Sequence, residues 1–347
     1  MWRCILGKHK KDKEKKHKKE DKDKGKKHRG EITEGANPAF APPSSADSGL
    51  LPDVAAGEVT YADGTPLDNI TYLEAKLILK PDRFTSVQCF RDFGKIVQQT
   101  TRQVGVGFIP DPATNRRPDV REIVFLDTPD FRLYNNAFIL RRRISYVDGF
   151  QVGDPEIVCK FRHPDELAAA RLDIRPNIAG QYVIKFKAEA LPLKNEVGGY
   201  RILYSHNCQF GLSQMHDADK TSMATLAKVF PALASLKQSD NEHLSLVNEG
   251  IVEEILLPLG QLDFGKGQLA KCDISLWRTR GEHQPLVGEF AFQVKFSNLK
   301  AVAEKSKKLA EQFYISLQLA VENWLTLGVT KTAMVYRLKG NPPQSHE

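Results

Sequence analysis

Residues 123–143 read Ile-Val-Phe-Leu-Asp-Thr-Pro-Asp-Phe-Arg-Leu-Tyr-Asn-Asn-Ala-Phe-Ile-Leu-Arg-Arg-Arg. The apolar run Ile123-Val124-Phe125-Leu126 ends in Asp127-Thr128-Pro129-Asp130, a strong turn signal. Beyond it, Ile139-Leu140-Arg141-Arg142-Arg143 begins another strand, with Arg141 and Arg143 on one face. The same alternation recurs at Leu73-Glu74-Ala75-Lys76-Leu77, Ile157-Val158-Cys159-Lys160-Phe161-Arg162, Val183-Ile184-Lys185-Phe186-Lys187 and 290–296. Period 2 places Tyr72, Glu74 and Lys76 on one face, Glu156, Lys160 and Arg162 on another, and Lys185, Lys187 and Glu189 on a third. A sheet charged on one face is ordinary where that face meets water. If the sheet closes, the charged faces converge into a basic, anion-binding cavity.

Around these strands the pattern alternates between period 2 and period 3.6. Strands are expected over 71–79, 123–126, 138–147, 156–162, 181–190, 200–205, 251–259, 271–279 and 288–296. Helices are expected over 84–104, 165–172, 221–236 (interrupted at Pro231) and 302–327, where Gly328 is a stop signal. Residues 330–338 read as a short final strand or an extended tail. The layout is that of one α+β domain over 67–340, with 341–347 as a loose end.

The first 66 residues have no hydrophobic period and read as a disordered tail, Lys-rich and then Pro/Ala/Ser-rich. Residues 8–29 hold 12 Lys, 1 Arg and 5 acids, a net +8. The whole chain of 347 residues carries +7, so about −1 remains for the rest. Attraction to a polyanion therefore belongs to the tail, while the folded part is near neutral overall. Five scattered cysteines form no CxxC pair, which excludes a zinc signature and a disulfide framework and points to a reduced, cytoplasmic setting. No apolar run reaches the roughly 18 residues of a membrane span. Gly105-Val106-Gly107 lacks the continuation of a phosphate loop and reads as a plain turn. His206 and Cys208 have no third partner in sequence that would make a nucleophile of the cysteine.

Val124 to Leu133, with Asp127-Thr128-Pro129-Asp130 at its centre, resembles the D-T-P-D segment of CYTH domains, the triphosphate tunnel metalloenzymes. Ala137-Phe138-Ile139-Leu140-Arg141-Arg142-Arg143 resembles that family's A-x-x-L-R-x-R strand, and Glu156–Arg162 its next, Lys-bearing strand. Tyr72-Leu73-Glu74-Ala75-Lys76 resembles the opening E-x-E-x-K signature, with Tyr72 in place of the first Glu. The matches run in the family's order over roughly residues 70–165. The resemblance implies an antiparallel closed β-barrel of about eight strands, with a charged lumen and helices packed outside.

It implies further that Lys76, Arg141, Arg143, Lys160, Lys185 and Lys187 bind phosphate groups in the lumen. Lys and Arg suit that role because they make charge-assisted hydrogen bonds to phosphate oxygens, bidentate in the case of Arg. Glu74 and Glu289 are then the catalytic residues and the ligands of a divalent ion, Mg²⁺ or Mn²⁺, which would bridge the phosphates and position a water. The acidic set is reduced, because Tyr72, Ala291 and Gln293 stand where further acids are expected. Two functions stay open at this point. One is metal-dependent hydrolysis of a triphosphate or polyphosphate. The other is non-catalytic binding of a phosphorylated ligand, or a scaffold role, with the Lys-rich tail as a tether to a polyanion.

Overall fold

The computed structural model describes residues 60–115, 117–217, 219–297 and 302–340. Nearly all of the expected tail and the end at 341–347 lie outside the described residues. Within the stretch expected to be tail, Thr60 bridges Pro66, and Tyr61 is buried with its hydroxyl on Asp68.

Ten strands form the sheet. They are β1 (Tyr72–Leu79), β2 (Gly107–Pro110), β3 (Asp119–Asp127), β4 (Phe138–Val147), β5 (Phe150–His163), β6 (Val183–Pro192), β7 (Tyr200–Gly211), β8 (Ser245–Asp263), β9 (Leu269–Thr279) and β10 (Pro285–Lys295). The order is β2-β8-β3-β4-β5-β7-β6-β1-β10-β9, and β9 pairs again with β8. Nine strands therefore close into a barrel, with β2 added alongside β8. Closure depends on the length of β8: residues 245–256 pair with β3 on one edge and residues 252–263 with β9 on the other. Its ladder to β9 shifts register between Pro258 and Gly260. A proline has no N–H to give a ladder, and such an irregularity lets a long strand bend. Gly260 also has φ 148°, and a Cβ there would lie 2.2 Å from the Ile109 carbonyl oxygen of β2.

The expected antiparallel barrel needs one correction, because β1 and β6 run parallel, with Glu74 beside Glu189. The segment after β1 leaves the sheet as a helix, and β1 acquires its second neighbour, β10, only at the end of the fold. That pairing joins the two ends of the domain.

Helices cover the outside. Helix α1 (Val87–Val104) buries Phe90, Phe93 and Val97, the face its period predicts, and ends on Gly105 in the left-handed region at φ 75°. Two short helices follow, α2 (Arg132–Asn135) and α3 (Glu166–Arg171). Helix α4 (Met223–Val229) starts at Ser222, whose side chain accepts from the Thr225 N–H, and Pro231 converts the remainder into a 3-10 turn. Helix α5 (Glu304–Ala320) ends before the expected 327, and 322–324 tighten into a 3-10 turn. Phe93 of α1 meets Phe290, and Phe313 of α5 meets Phe292, at centroid distances of 5.6 and 5.7 Å. These rings, with Leu73, Ala75 and Leu77 of β1, form the largest core cluster. Each fully buried Phe is worth about 1.5–3 kcal/mol. Leu140, Cys159 and Cys208 on the far side pack under Met223 and Leu226 of α4. His206 is buried between the Ala169 carbonyl and Asp68.

The last element, α6 (Lys331–Tyr336), is a helix where a strand or extended tail was expected. Its ends are capped. Thr330 accepts from the Ala333 N–H, and the Asn248 side chain of β8 donates to the Val335 and Tyr336 carbonyls at 2.9 and 2.8 Å. The second cap comes from a residue 87 positions away, so local propensity could not reveal it.

Candidate functional site

Residues opposed in a ladder share a face of the sheet, so register assigns the charged side chains without further assumption. Glu74 stands opposite Gln293 on one side and Glu189 on the other. Lys160 and Lys185 both face Asn207, and Arg162 and Lys187 both face Ser205. Arg143 faces Glu156, Arg141 faces Val158, and Arg121 faces Glu254. Ser275 faces Glu289, and Asp273 faces Ala291. The expected phosphate-binding residues therefore lie on one continuous face.

Glu189 is the centre of that face. It is 1% exposed and receives Lys160 at 2.7 Å, Lys76 at 3.2 Å, Arg162 at 3.3 Å and the Ser205 hydroxyl at 2.7 Å. Glu74 pairs with Lys76 at 3.0 Å and Lys187 at 3.3 Å. Four cations, Lys76, Lys160, Lys187 and Arg162, thus share two carboxylates. The titration behaviour follows. Burial raises the Glu74 carboxyl, but Lys187 and Lys76 outweigh it and hold it at about 2. Burial also works against the Glu189 carboxylate, yet Lys160, Lys76 and Arg162 draw it well below the usual range. Burial and then the Arg162 charge depress Lys160. Burial and Lys187 depress Lys185, whose ammonium donates, among the described residues, to Gln209 at 3.0 Å.

Arg141 is the most exceptional of the set. It makes no ion pair or hydrogen bond among the described residues. Burial, reinforced by repulsion from Arg143, pushes its guanidinium down to about 10. Arg143 itself pairs with Glu156 at 3.1 Å.

The opposite part of the face, on β8, β9 and β10, is acidic. Glu289 accepts from Lys331 of α6 at 2.7 Å. Glu254 accepts from the Trp277 indole N–H at 2.8 Å and pairs with Lys331 and Arg121, each at 3.4 Å. Burial raises the Glu254 carboxyl, but Lys331, Arg143 and Arg121 bring it to about 2. Asp273 makes no ion pair or hydrogen bond among the described residues. Burial, with Glu289, Glu254 and Glu74 adding and Lys331 opposing, pushes its carboxyl up to about 7.

Glu74 and Glu289 are offset in register. Glu74 is registered with Gln293, and Glu289 with Ile78, four residues along β1. At about 3.3 Å per residue that sets their backbones about 13 Å apart along the strand. Each carboxylate is also already in contact with an ammonium group. Among the described residues no group of three or more His, Cys, Asp or Glu is arranged to hold a metal ion. As they stand, Glu74 and Glu289, the residues expected to hold Mg²⁺ or Mn²⁺, are engaged by lysine ammonium groups instead.

Sequence reading missed Asp273, Glu254 and Lys331. Asp273 had a usable signal, since Lys271, Asp273, Ser275 and Trp277 alternate along β9. Lys331 had none, because it reaches the face from a helix that only the fold delivers.

No family model matches the sequence, and no curated protein matches it. Solved structures do. The chain is similar to the Hippeastrum protein HpAC1, whose described activity is dominantly that of a triphosphatase, at 12% identity over 77% of this chain and 95% of that one, with a TM-score of 0.37. It is similar to the PH1819 protein of Pyrococcus horikoshii at 12% identity, 75% and 96% coverage, and a TM-score of 0.30. Likenesses this distant say nothing of what this chain binds.

Proposed function

We propose that the charged face lines the lumen of the barrel and binds the phosphate groups of a tri- or polyphosphate ligand. The observation that carries this reading is Arg141, whose guanidinium lies beside a second guanidinium and makes no ion pair or hydrogen bond among the described residues. A half-buried cation in that state gains from an anion, and a phosphate can accept two parallel hydrogen bonds from it. Lys185, depressed by burial and by Lys187 and bonded to a neutral amide, also favours an anion.

Two observations support the lumen assignment. The opposite face of the strands carries Leu73, Ala75 and Leu77 and is covered by α1 and α5. Ile78, Phe125, Ile139, Leu203, Trp277 and Val287, from six barrel strands, lie in one cluster with Tyr336 of α6. Side chains from so many strands of a closed sheet meet most simply inside it. By parity these residues share the charged face. On this reading α6 caps one end of the lumen and the phosphates enter from the other.

A hydrolytic role has one favouring observation. Asp273, near 7, is a better general base than Glu74, whose carboxyl is held at about 2 by its lysines. On that reading Asp273 takes a proton from a water that attacks the terminal phosphorus as the bridging P–O bond breaks, orthophosphate forms and the shortened phosphate chain leaves, while Arg141 and Lys160 hold the phosphoryl oxygens. No helix among the described residues is long and apolar enough to cross a membrane. The polybasic stretch 8–29 would add a tether to a polyanion.

The test is thermal unfolding with millimolar tripolyphosphate. Wild type is expected to rise by several degrees, because a ligand that binds only the folded state stabilises it, and Arg141→Gln is expected to lose most of that rise. A folded wild type that tripolyphosphate does not stabilise contradicts the binding reading. Phosphate release by wild type but not by Asp273→Asn separates turnover from binding alone.

A further inference from the structure

We propose that the Lys331 ammonium takes the place of a divalent cation on the acidic part of this face, so that the chain engages phosphate without a metal. The inference rests on the phosphate-binding reading above and adds the origin of the positive charge. Lys331 Nζ lies 2.7 Å from Glu289, 3.4 Å from Glu254 and 3.3 Å from the Ser275 hydroxyl oxygen. An ammonium has three N–H donors, and three protein oxygens stand within reach of them. The Trp277 ring lies on a further side, 4.5 Å from the nitrogen, and contributes cation–π attraction. The ammonium is thus enclosed by groups suited to a compact cation.

Its position is built in. Lys331 is the first residue of α6, and that helix is held at both ends, by Thr330 at the start and Asn248 at the finish. Tyr336 anchors it further through a 2.9 Å hydrogen bond to buried Asp127. A lysine on a free tail would lose side-chain and backbone entropy each time it docked; here that cost is met in folding. The consequence for chemistry is specific. Glu289 and Glu254 are paired with the ammonium before any ligand arrives, so they repel phosphate less and offer fewer open oxygens to a metal. Removing the ammonium should leave Glu289 and Glu254 exposed to each other with Asp273 nearby, and should create affinity for a divalent ion.

The experiment measures Mn²⁺ uptake by the full chain from the loss of the free-ion electron paramagnetic resonance signal. Wild type and Glu289→Gln are expected to bind Mn²⁺ alike, including any taken up by the tail. Lys331→Met, which keeps the aliphatic stem, is expected to bind one further ion at least tenfold more tightly. Wild type binding Mn²⁺ tenfold more tightly than Glu289→Gln would overturn the proposal, since Glu289 would then be a metal ligand in the native chain. Should Lys331→Met fail to fold, the comparison of wild type with Glu289→Gln decides alone. Tripolyphosphate stabilisation is measured separately with Mg²⁺ and in EDTA: its absence under both conditions contradicts the phosphate reading, whereas its loss in EDTA alone overturns the metal-free proposal and leaves the phosphate reading standing.

Discussion

The Tyr336 hydroxyl donates to Asp127 Oδ2 at 2.9 Å, joining the end of β3 to the last helix across 209 residues. The two Tyr rings at this junction, Tyr134 and Tyr336, stack at 4.0 Å. Asp127 accepts the Thr128, Leu133 and Tyr134 N–H groups as well, at 2.8, 2.8 and 3.0 Å. Tyr336→Phe should lose roughly 1.5–3 kcal/mol, the worth of a hydrogen bond to a charged group. Asp127→Ala should lose more, because three buried N–H groups are orphaned. Urea unfolding measures both, and a Tyr336→Phe protein as stable as wild type would show that the bond does not hold α6.

Acid should weaken the barrel over a defined window. The Glu74 and Glu254 carboxyls sit at about 2 in the fold, against an ordinary value of 4.5. Folded values below the unfolded ones mean that their contribution is complete above about 4.5 and is lost as pH falls towards 2. Melting temperature should drop across that range, and Glu254→Gln should flatten the drop.

Asp273 acts in the opposite sense. Its carboxyl stands near 7 in the fold against an ordinary 3.8, so ionising it costs stability as pH rises between those values. Asp273→Asn should therefore be more stable than wild type at pH 8, by at most about 4 kcal/mol before solvent screening. The advantage should vanish below pH 4. Equal stability at pH 8 would mean that Asp273 is not under charge strain.

Gly288 of β10 has no room for a side chain. A Cβ there would lie 2.3 Å from the Phe84 ring and 3.0 Å from Leu79 Cβ. Gly288→Ala should cost about 1–3 kcal/mol through overpacking. Shortening the ring in the double variant Gly288→Ala/Phe84→Leu should recover part of it in a double-mutant cycle.

The alternation of Lys76, Arg141, Arg143, Lys160, Lys185 and Lys187 with apolar neighbours was legible because strand parity is a local rule. The turn at Asp127 was legible too, although its reason, a carboxylate gathering three backbone N–H groups and a distant tyrosine, was not. Helix α1 was legible from its period, whereas Gly105 was read as a plain turn and proved to be its left-handed cap. Parity could say which residues share a face; it could not say that β8 pairs on both edges, that β1 runs parallel to β6, or that Lys331 docks on Glu289. Those are encounters between segments far apart in the chain, chosen by the packing of the whole rather than by local conformation. The chain's pattern alone determined a strand-rich domain with a cationic face. Only the tertiary structure separated Glu74 from Glu289 and put an ammonium against the latter, because register and docking, not residue identity, determine which charges meet.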